Sequence, residues 1–174
     1  MTDGAAAVDP DTDPSDVRHE TFTVRRRLAA PRARVFAAFG DADIRRRWFR
    51  LPGAGASYDH TFEVGSGERA HSTFTIPDGR IERLAYRSQY ADILPGVRLV
   101  FSYESIINDV VHWAALATVL LADDAEGTAL TWTEQVAFLV RTGDGSADLP
   151  HLRGGTTLRL NGLAAVVESA PHGG

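Results

Sequence analysis

The segment DLPHLRGGTTLRLNGLAAVVES, residues 148–169, decides how the chain is expected to fold. One set of its side chains recurs at helical spacing and falls within a narrow angular sector: Leu149, Leu152, Thr156, Leu160, Leu163 and Val167. A mostly apolar stripe of this kind has to be buried against another element. The segment therefore predicts a long C-terminal helix that lies across a sheet.

The residues before this helix predict the sheet. Short runs with strand-like composition are separated by turn residues, and they cover 57–64, 67–76, 80–93, 97–105, 111–121 and 128–139. Glycine at the first position of Gly65-Ser66 suits a two-residue type II′ hairpin between the first two of these runs. Residues 20–28 alternate in the same way and predict an earlier strand. We expect a curved antiparallel sheet of six to seven strands.

Two short helices are predicted between the first strand and the following ones. Pro31 suits the first position of a helix whose apolar stripe is Val35, Phe36 and Phe39. Asp41 or Asp43 then suits the N-cap of a second helix, with Ile44, Trp48 and Phe49 as the candidates for its inward side. The three arginines 45–47 between them are expected to form a solvated face, with a functional anion site as the alternative.

Composition narrows the classes of function. The 174 residues with 44% hydrophobic content fit one globular domain, here 19–170, and 23 acidic against 18 basic residues argue against a nucleic-acid partner. The absence of cysteine excludes disulfides, thiolate nucleophiles and cysteine-bound metals. The absence of lysine excludes a Schiff-base lysine. No glycine fingerprint or nucleophile elbow is present, so no cofactor is predicted.

The N-terminal segment has a different composition from the rest. Residues 1–18 are rich in Asp, Ala, Pro and Thr and contain almost no large apolar side chains, which predicts a disordered tail. The segment lacks the features of a signal peptide, and no apolar run approaches the roughly 20 residues of a membrane span. A cytoplasmic protein without a membrane partner is therefore expected, and a homodimer is left open.

Four segments resemble one known superfamily in the same order: VRRRLAAPRARVFAAF (24–39), YADILPGVRLVFSYE (90–104), EGTALTWTEQVAFL (126–139) and RGGTTLRLNGLAAV (153–166). They resemble the SRPBCC, or START-like, superfamily, in particular the branch related to the activator of heat-shock-protein-90 ATPase. The resemblance spans about residues 20–168. It implies an α+β helix-grip fold, with a cavity between the sheet and the terminal helix that receives a hydrophobic or amphipathic small molecule in many relatives.

The resemblance leaves three classes of function open. The first is binding of a small hydrophobic molecule in the cavity. The second is a cyclase-like or hydrolase-like enzyme that uses Glu134, a histidine or a tyrosine as acid or base. The third is a module that interacts with a chaperone ATPase, as the name of the branch suggests.

Two charged residues are expected on apolar strand faces. Glu134 shares its face with Leu130, Trp132, Val136 and Phe138, and a carboxylate there needs a partner. Arg26 lies among the apolar positions of the first strand, which neighbours the last strand in a helix-grip order. The two residues therefore form either a structural ion pair or two separate ligand anchors.

Aromatic side chains supply the other candidates for the cavity. The complete set of candidate ligand-binding residues is Arg26, Trp48, Tyr90, Phe101, Tyr103, Trp113, Trp132, Glu134 and Leu160. His60 and His71 would lie opposite each other if the chain turned at Gly65-Ser66. That pair has no evident third ligand, so no metal site is predicted.

Overall fold

The computed structural model describes residue 13 and residues 15–169. These residues form seven strands: β1 (Arg18–Leu28), β2 (Ala54–His60), β3 (Glu68–Thr75), β4 (Ile81–Leu94), β5 (Arg98–Ile107), β6 (Val110–Asp124) and β7 (Gly127–Phe138). The helices are α1 (Arg32–Gly40), α2 (Ala42–Trp48) and α3 (Asp148–Glu168). The strands form one antiparallel sheet in the order β1-β7-β6-β5-β4-β3-β2. The α+β helix-grip prediction is confirmed.

The predicted tail falls mostly outside the described residues. Residues 1–12 and residue 14 are not described, so the disorder of the segment stays a prediction. At its other end the predicted tail meets the sheet, because β1 begins at Arg18, whose backbone lies opposite Phe138 of β7. No helix among the described residues has the length and apolarity needed to cross a bilayer.

Helix α3 buries the stripe that the sequence predicts. Leu152, Thr156, Leu160, Leu163 and Val167 are buried, and Leu149 is half-buried at the edge. A Cβ added at Gly162 would lie 3.4 Å from the Trp48 Cβ, an ordinary van der Waals contact, so α2 packs directly against α3 at this position. The two short helices and α3 thus cover one face of the sheet, called the inner face below.

The connection between β2 and β3 differs from the prediction. Residues 61–67 join the two strands, where the sequence predicted a two-residue turn. The Gly65 N–H donates to the Tyr90 carbonyl at 2.8 Å and the Tyr90 N–H donates to the Ser66 carbonyl at 2.7 Å. These bonds hold the connection against β4, so it does not close as a tight turn. His60 consequently pairs with Glu68, and the predicted pairing of His60 with His71 is wrong.

Candidate functional site

The inner face of the sheet is lined by aromatic and apolar side chains. The structure brings six of the predicted cavity residues into this layer: Tyr90, Phe101, Tyr103, Trp132, Glu134 and Leu160. The Phe101 ring lies edge-on to Trp132 at 5.6 Å and to Tyr90 at 5.7 Å between ring centroids. All six side chains are at most 3% exposed, so they pack against their neighbours and fill the space between the sheet and α3.

The remaining three predicted residues lie apart from this layer. The Trp48 indole on α2 packs edge-on to Phe39 at 5.0 Å, and its N–H donates to the Ala38 carbonyl at 2.9 Å. Trp113 is half-buried near one end of β6 with its ring centroid 6.4 Å from that of Phe138. Arg26 lies on the edge strand β1 and donates from Nη2 to Oδ1 of Asn161 on α3 at 2.6 Å.

Glu134 lies at the centre of a group of neutral donors, called here the Glu134 cluster: Glu134, Tyr103, Trp132 and Thr156. The Tyr103 hydroxyl donates to Oε2 at 2.8 Å, while the Trp132 N–H and the Thr156 hydroxyl donate to Oε1 at 2.7 and 3.1 Å. Burial raises the pKa of the Glu134 carboxyl, and these hydrogen bonds oppose the rise only in part. The cluster therefore satisfies a buried carboxyl without a cation in direct contact.

The predicted ion pair between Arg26 and Glu134 is wrong. The register places Arg26 opposite Leu130, whereas Glu134 lies opposite Phe22. Four residues along a strand correspond to roughly 13 Å, which is too far for direct contact between the two side chains. Neighbouring strands were therefore predicted correctly, but the register separates the two charges.

A second polar group lies toward the β2 edge of the inner face and is called the Arg45 cluster: Arg45, Glu68, Tyr58, His60 and Tyr90. Arg45 Nε donates to Glu68 Oε1 at 2.6 Å and Nη2 donates to Oε2 at 2.9 Å, which makes a bidentate pair. The Tyr58 hydroxyl also donates to Glu68. The His60 Nε2 and the Tyr90 hydroxyl share a hydrogen bond of 3.1 Å.

The burial of Arg45 corrects the expectation that residues 45–47 form a solvated face. Arg46 and Arg47 are exposed, but Arg45 is only 1% exposed. Its guanidinium carbon lies 4.1 Å from the ring centroid of Trp48 and 4.4 Å from that of Phe49. Arg45 precedes these aromatics by three and four residues, so it shares their side of the helix.

The charges of the Arg45 cluster stabilise one another. Burial alone would raise the pKa of Glu68, but the charge and hydrogen bonds of Arg45 outweigh it and the pKa is lowered. Burial disfavours the protonated form of Arg45, yet the negative charge of Glu68 outweighs burial and raises the pKa of Arg45. Burial lowers the pKa of His60, which favours the neutral imidazole. The cluster thus contains one ion pair beside a histidine whose neutral form is favoured by burial.

Two buried atoms of the Arg45 cluster have no hydrogen-bond partner among the described residues, namely Arg45 Nη1 and His60 Nδ1. Nη1 can only donate, whereas Nδ1 donates or accepts according to the tautomer of the ring. The arrangement can therefore bind an oxygen acceptor such as a carbonyl or hydroxyl group.

Open depressions lie on the opposite, outer face of the sheet. Depressions of about 620, 510 and 440 Å³ lie beside the outward side chains of Arg87, Leu116 and His71, respectively. No group of three or more histidine, aspartate or glutamate side chains in the described part of the chain is arranged to hold a metal ion. The buried polar side chains outside the two clusters, namely Ser72, Thr128 and Asp148, bond to backbone groups of the described chain.

Sequence reasoning missed most of the Arg45 cluster, although two signals were present. Glu68, Ala70 and Ser72 alternate along β3, and all three are buried on the inner face. Arg45 has the spacing to Trp48 and Phe49 that places a residue on the buried side of α2. Each of these two elements therefore carries one charged residue at a core position, and opposite charges at such positions indicate a buried ion pair.

Comparison with known proteins identifies the family. Residues 29–168 match the sequence model described as "Activator of Hsp90 ATPase homolog 1-like protein". A search of curated proteins gives no match.

Solved structures agree with this assignment. A protein of Rhizobium leguminosarum is 32% identical over 88% of this chain and 97% of its own, with a TM-score of 0.74. Mll3558 of Rhizobium loti is 39% identical over 87% of this chain and 99% of its own, with a TM-score of 0.69. DynU16, from the dynemicin biosynthetic locus, shares the fold at 19% identity over 86% of this chain and 47% of its own, with a TM-score of 0.60. The family match and the two rhizobial relatives show that the chain belongs to the Activator of Hsp90 ATPase homolog 1-like family.

Proposed function

We propose that this protein binds a hydrophobic or amphipathic small molecule between the inner face of the sheet and helices α2 and α3, with a polar contact at the Arg45 cluster. The observation that carries the proposal is the pair of buried, unpartnered atoms Arg45 Nη1 and His60 Nδ1. An unpaired buried polar group costs roughly 1 to 3 kcal/mol. A guest that offers an oxygen acceptor would recover part of that cost.

The surroundings of these atoms suit an apolar guest. The Phe49 and Tyr86 rings lie 4.8 Å apart, and Tyr86 stacks on Tyr103 at 5.2 Å. Small-molecule sites typically combine such aromatic walls with a few placed polar groups. Because the walls are packed in this conformation, a guest enters only when they move, and its association should be slower than a diffusion-limited encounter.

The other classes of function have less support. In an enzyme that used Glu134 as acid or base, that carboxyl would have to reach a guest, yet both of its oxygens already accept internal hydrogen bonds. An interaction with a chaperone ATPase and a homodimer stay predictions that rest on the sequence and the family alone.

Titration with the neutral fluorescent probe N-phenyl-1-naphthylamine tests the proposal. We expect one binding site, and we expect Trp132→Phe to weaken binding more than Trp48→Phe does. Trp132 lies in the central layer against Phe101, whereas Trp48 lies behind Phe39. The proposal is wrong if the folded protein does not bind the probe, or if neither substitution changes its affinity.

Native mass spectrometry of protein purified from its own host provides an independent test. We expect a retained small molecule, and we expect His60→Phe to reduce its occupancy because the Nδ1 contact is lost. His71→Phe is the matched control, since His71 is exposed on the same sheet. Equal retention by both variants would contradict the role given to His60.

A further inference from the structure

We infer that Arg159 on α3 binds the singly charged anionic head group, such as a carboxylate, of an amphipathic guest. This inference rests on the proposed function and specifies the chemical class of the guest. Several charged groups are directed toward the interior. The positive charge of Arg45 is neutralised by Glu68, Glu134 is bound by neutral donors, and Arg26 donates to Asn161. Arg159 is a further charged side chain, half-buried on α3.

Arg159 forms no salt bridge with any residue of the described chain. Its guanidinium carbon lies 4.9 Å from the centroid of the Phe49 ring, which orients the cation without neutralising it. Its charge also acts on the interior, because it opposes the rise in the pKa of Tyr86, Tyr103 and Glu134. The half-buried side chain is therefore an unneutralised cation at the boundary of the aromatic layer.

There is room for a head group beside this arginine. Gly155 precedes Arg159 by one helical turn and lies on the same side of α3. A Cβ added at Gly155 would meet no atom within 4 Å, so this side of the helix is open there. A glycine within a helix costs roughly 1 kcal/mol relative to alanine. The position thus retains a costly residue where the packing of the described chain does not require one.

The chemistry of the site favours a single negative charge. A guanidinium binds a carboxylate through two parallel hydrogen bonds. A doubly charged phosphate monoester would need a second cation, and the other arginine that lies over the Phe49 ring, Arg45, already pairs with Glu68. The apolar part of such a guest would lie against Phe49, Tyr86 and Tyr103, while its head group stays at the boundary with Arg159.

Two probes that share one ring system separate the head group from the apolar part. 1-Anilinonaphthalene-8-sulfonate carries one negative charge, and N-phenyl-1-naphthylamine is its neutral counterpart. We expect Arg159→Gln to weaken binding of the sulfonate about ten-fold or more, as for loss of a charge-assisted hydrogen bond. The same substitution should change binding of the neutral probe less than about two-fold, because the aromatic contacts remain.

Two further variants serve as controls. Arg153→Gln removes an exposed arginine from the same helix and should change neither affinity. Arg159→Lys keeps the charge but loses the paired donors of the guanidinium, so its affinity for the sulfonate should lie between those of the wild type and Arg159→Gln. Added salt should weaken sulfonate binding by the wild type more than by Arg159→Gln.

Different failures have different meanings. Equal effects of Arg159→Gln on both probes, or no effect on either probe, would overturn the assignment of Arg159 and leave the proposed function in place. Absence of binding of both probes to the wild type would overturn the proposed function, and this inference with it. Thermal melts that coincide for all variants are required, so that loss of folding is not mistaken for loss of binding.

Discussion

Glu68 and Glu134 lie on the same face of one sheet, are both at most 1% exposed, and have opposite pKa shifts. Glu68 accepts two hydrogen bonds from the Arg45 guanidinium, and its pKa is lowered. Glu134 accepts three hydrogen bonds from neutral donors, and its pKa is raised. Burial disfavours the charged form in both cases. The difference shows that the charge of the partner decides the direction of the shift.

The two clusters also differ in how completely their polar atoms are paired. Both oxygens of Glu134 have donors of their own, so this cluster is complete without a guest. The Arg45 cluster leaves Arg45 Nη1 and His60 Nδ1 without partners. The first cluster is therefore the better candidate for a structural role, and the second for a site of binding.

The largest expected effect is that of breaking the buried ion pair. Arg45→Met leaves the Glu68 carboxylate buried without its cation, and we expect the free energy of unfolding to fall by about 3 to 5 kcal/mol. For a domain of this size that is a decrease of about 10 °C in Tm. Thermal and urea unfolding followed by circular dichroism measure the effect.

Two controls sharpen this prediction. Arg46→Met removes the exposed neighbour in the same helix and should change the free energy of unfolding by less than about 0.5 kcal/mol. The double variant Arg45→Met, Glu68→Leu should be more stable than Arg45→Met alone, because no unpaired charge is left. Additive effects of the two substitutions would contradict the pairing.

An intermediate effect should appear in the pH dependence of stability. Because folding raises the pKa of Glu134, this side chain's contribution to the free energy of unfolding is fully present below its pKa in the unfolded chain, about 4.5. The contribution is lost as the pH rises through the higher pKa of Glu134 in the folded protein. Glu134→Gln removes this loss, so the variant should gain stability relative to the wild type as pH rises from about 4.5 to 8. Urea unfolding at several pH values measures the difference.

Glu68→Gln should show the opposite dependence. Folding lowers the pKa of Glu68, so its contribution to the free energy of unfolding is present above about pH 4.5. That contribution is lost as the pH falls through the lower pKa of Glu68 in the folded protein. The destabilisation caused by Glu68→Gln should therefore shrink in acid. If the stability of both variants relative to the wild type changed in the same direction with pH, the contrast between the two clusters would be wrong.

The smallest expected effect concerns Arg26, whose side chain bonds to Asn161. Arg26→Ala should cost less than about 1 kcal/mol, because this contact lies near the surface. Its effect should add to that of Glu134→Gln within about 0.5 kcal/mol in a double-mutant cycle, because the two side chains do not meet. Coupling should appear instead between Arg26→Ala and Asn161→Ala. Coupling with Glu134 would restore the pairing that the register excludes.

The sequence predicted local features well and the partners of charged residues poorly. The alternation in β7 correctly placed Glu134 and Trp132 on one buried face, and Asp41 caps α2 by accepting from two N–H groups at 3.0 Å. Arg45 was assigned to the solvated face because the three arginines 45–47 are consecutive and share almost the same neighbours in sequence. Only the spacing to Trp48 and Phe49, read together with an inward acid on β3, separates it from its neighbours.

By itself the sequence determined the order of the elements, the buried stripe of α3 and the antiparallel sheet, because these depend on residue spacing over one or two turns of helix or a few residues of strand. The tertiary structure decided which charges meet. The β1–β7 register separates Arg26 from Glu134, and the placement of α2 over β3 brings Arg45 to Glu68 across 23 residues of sequence. Contacts of this kind depend on register and helix placement, which are set by the packing of the whole core and are not encoded in any one segment.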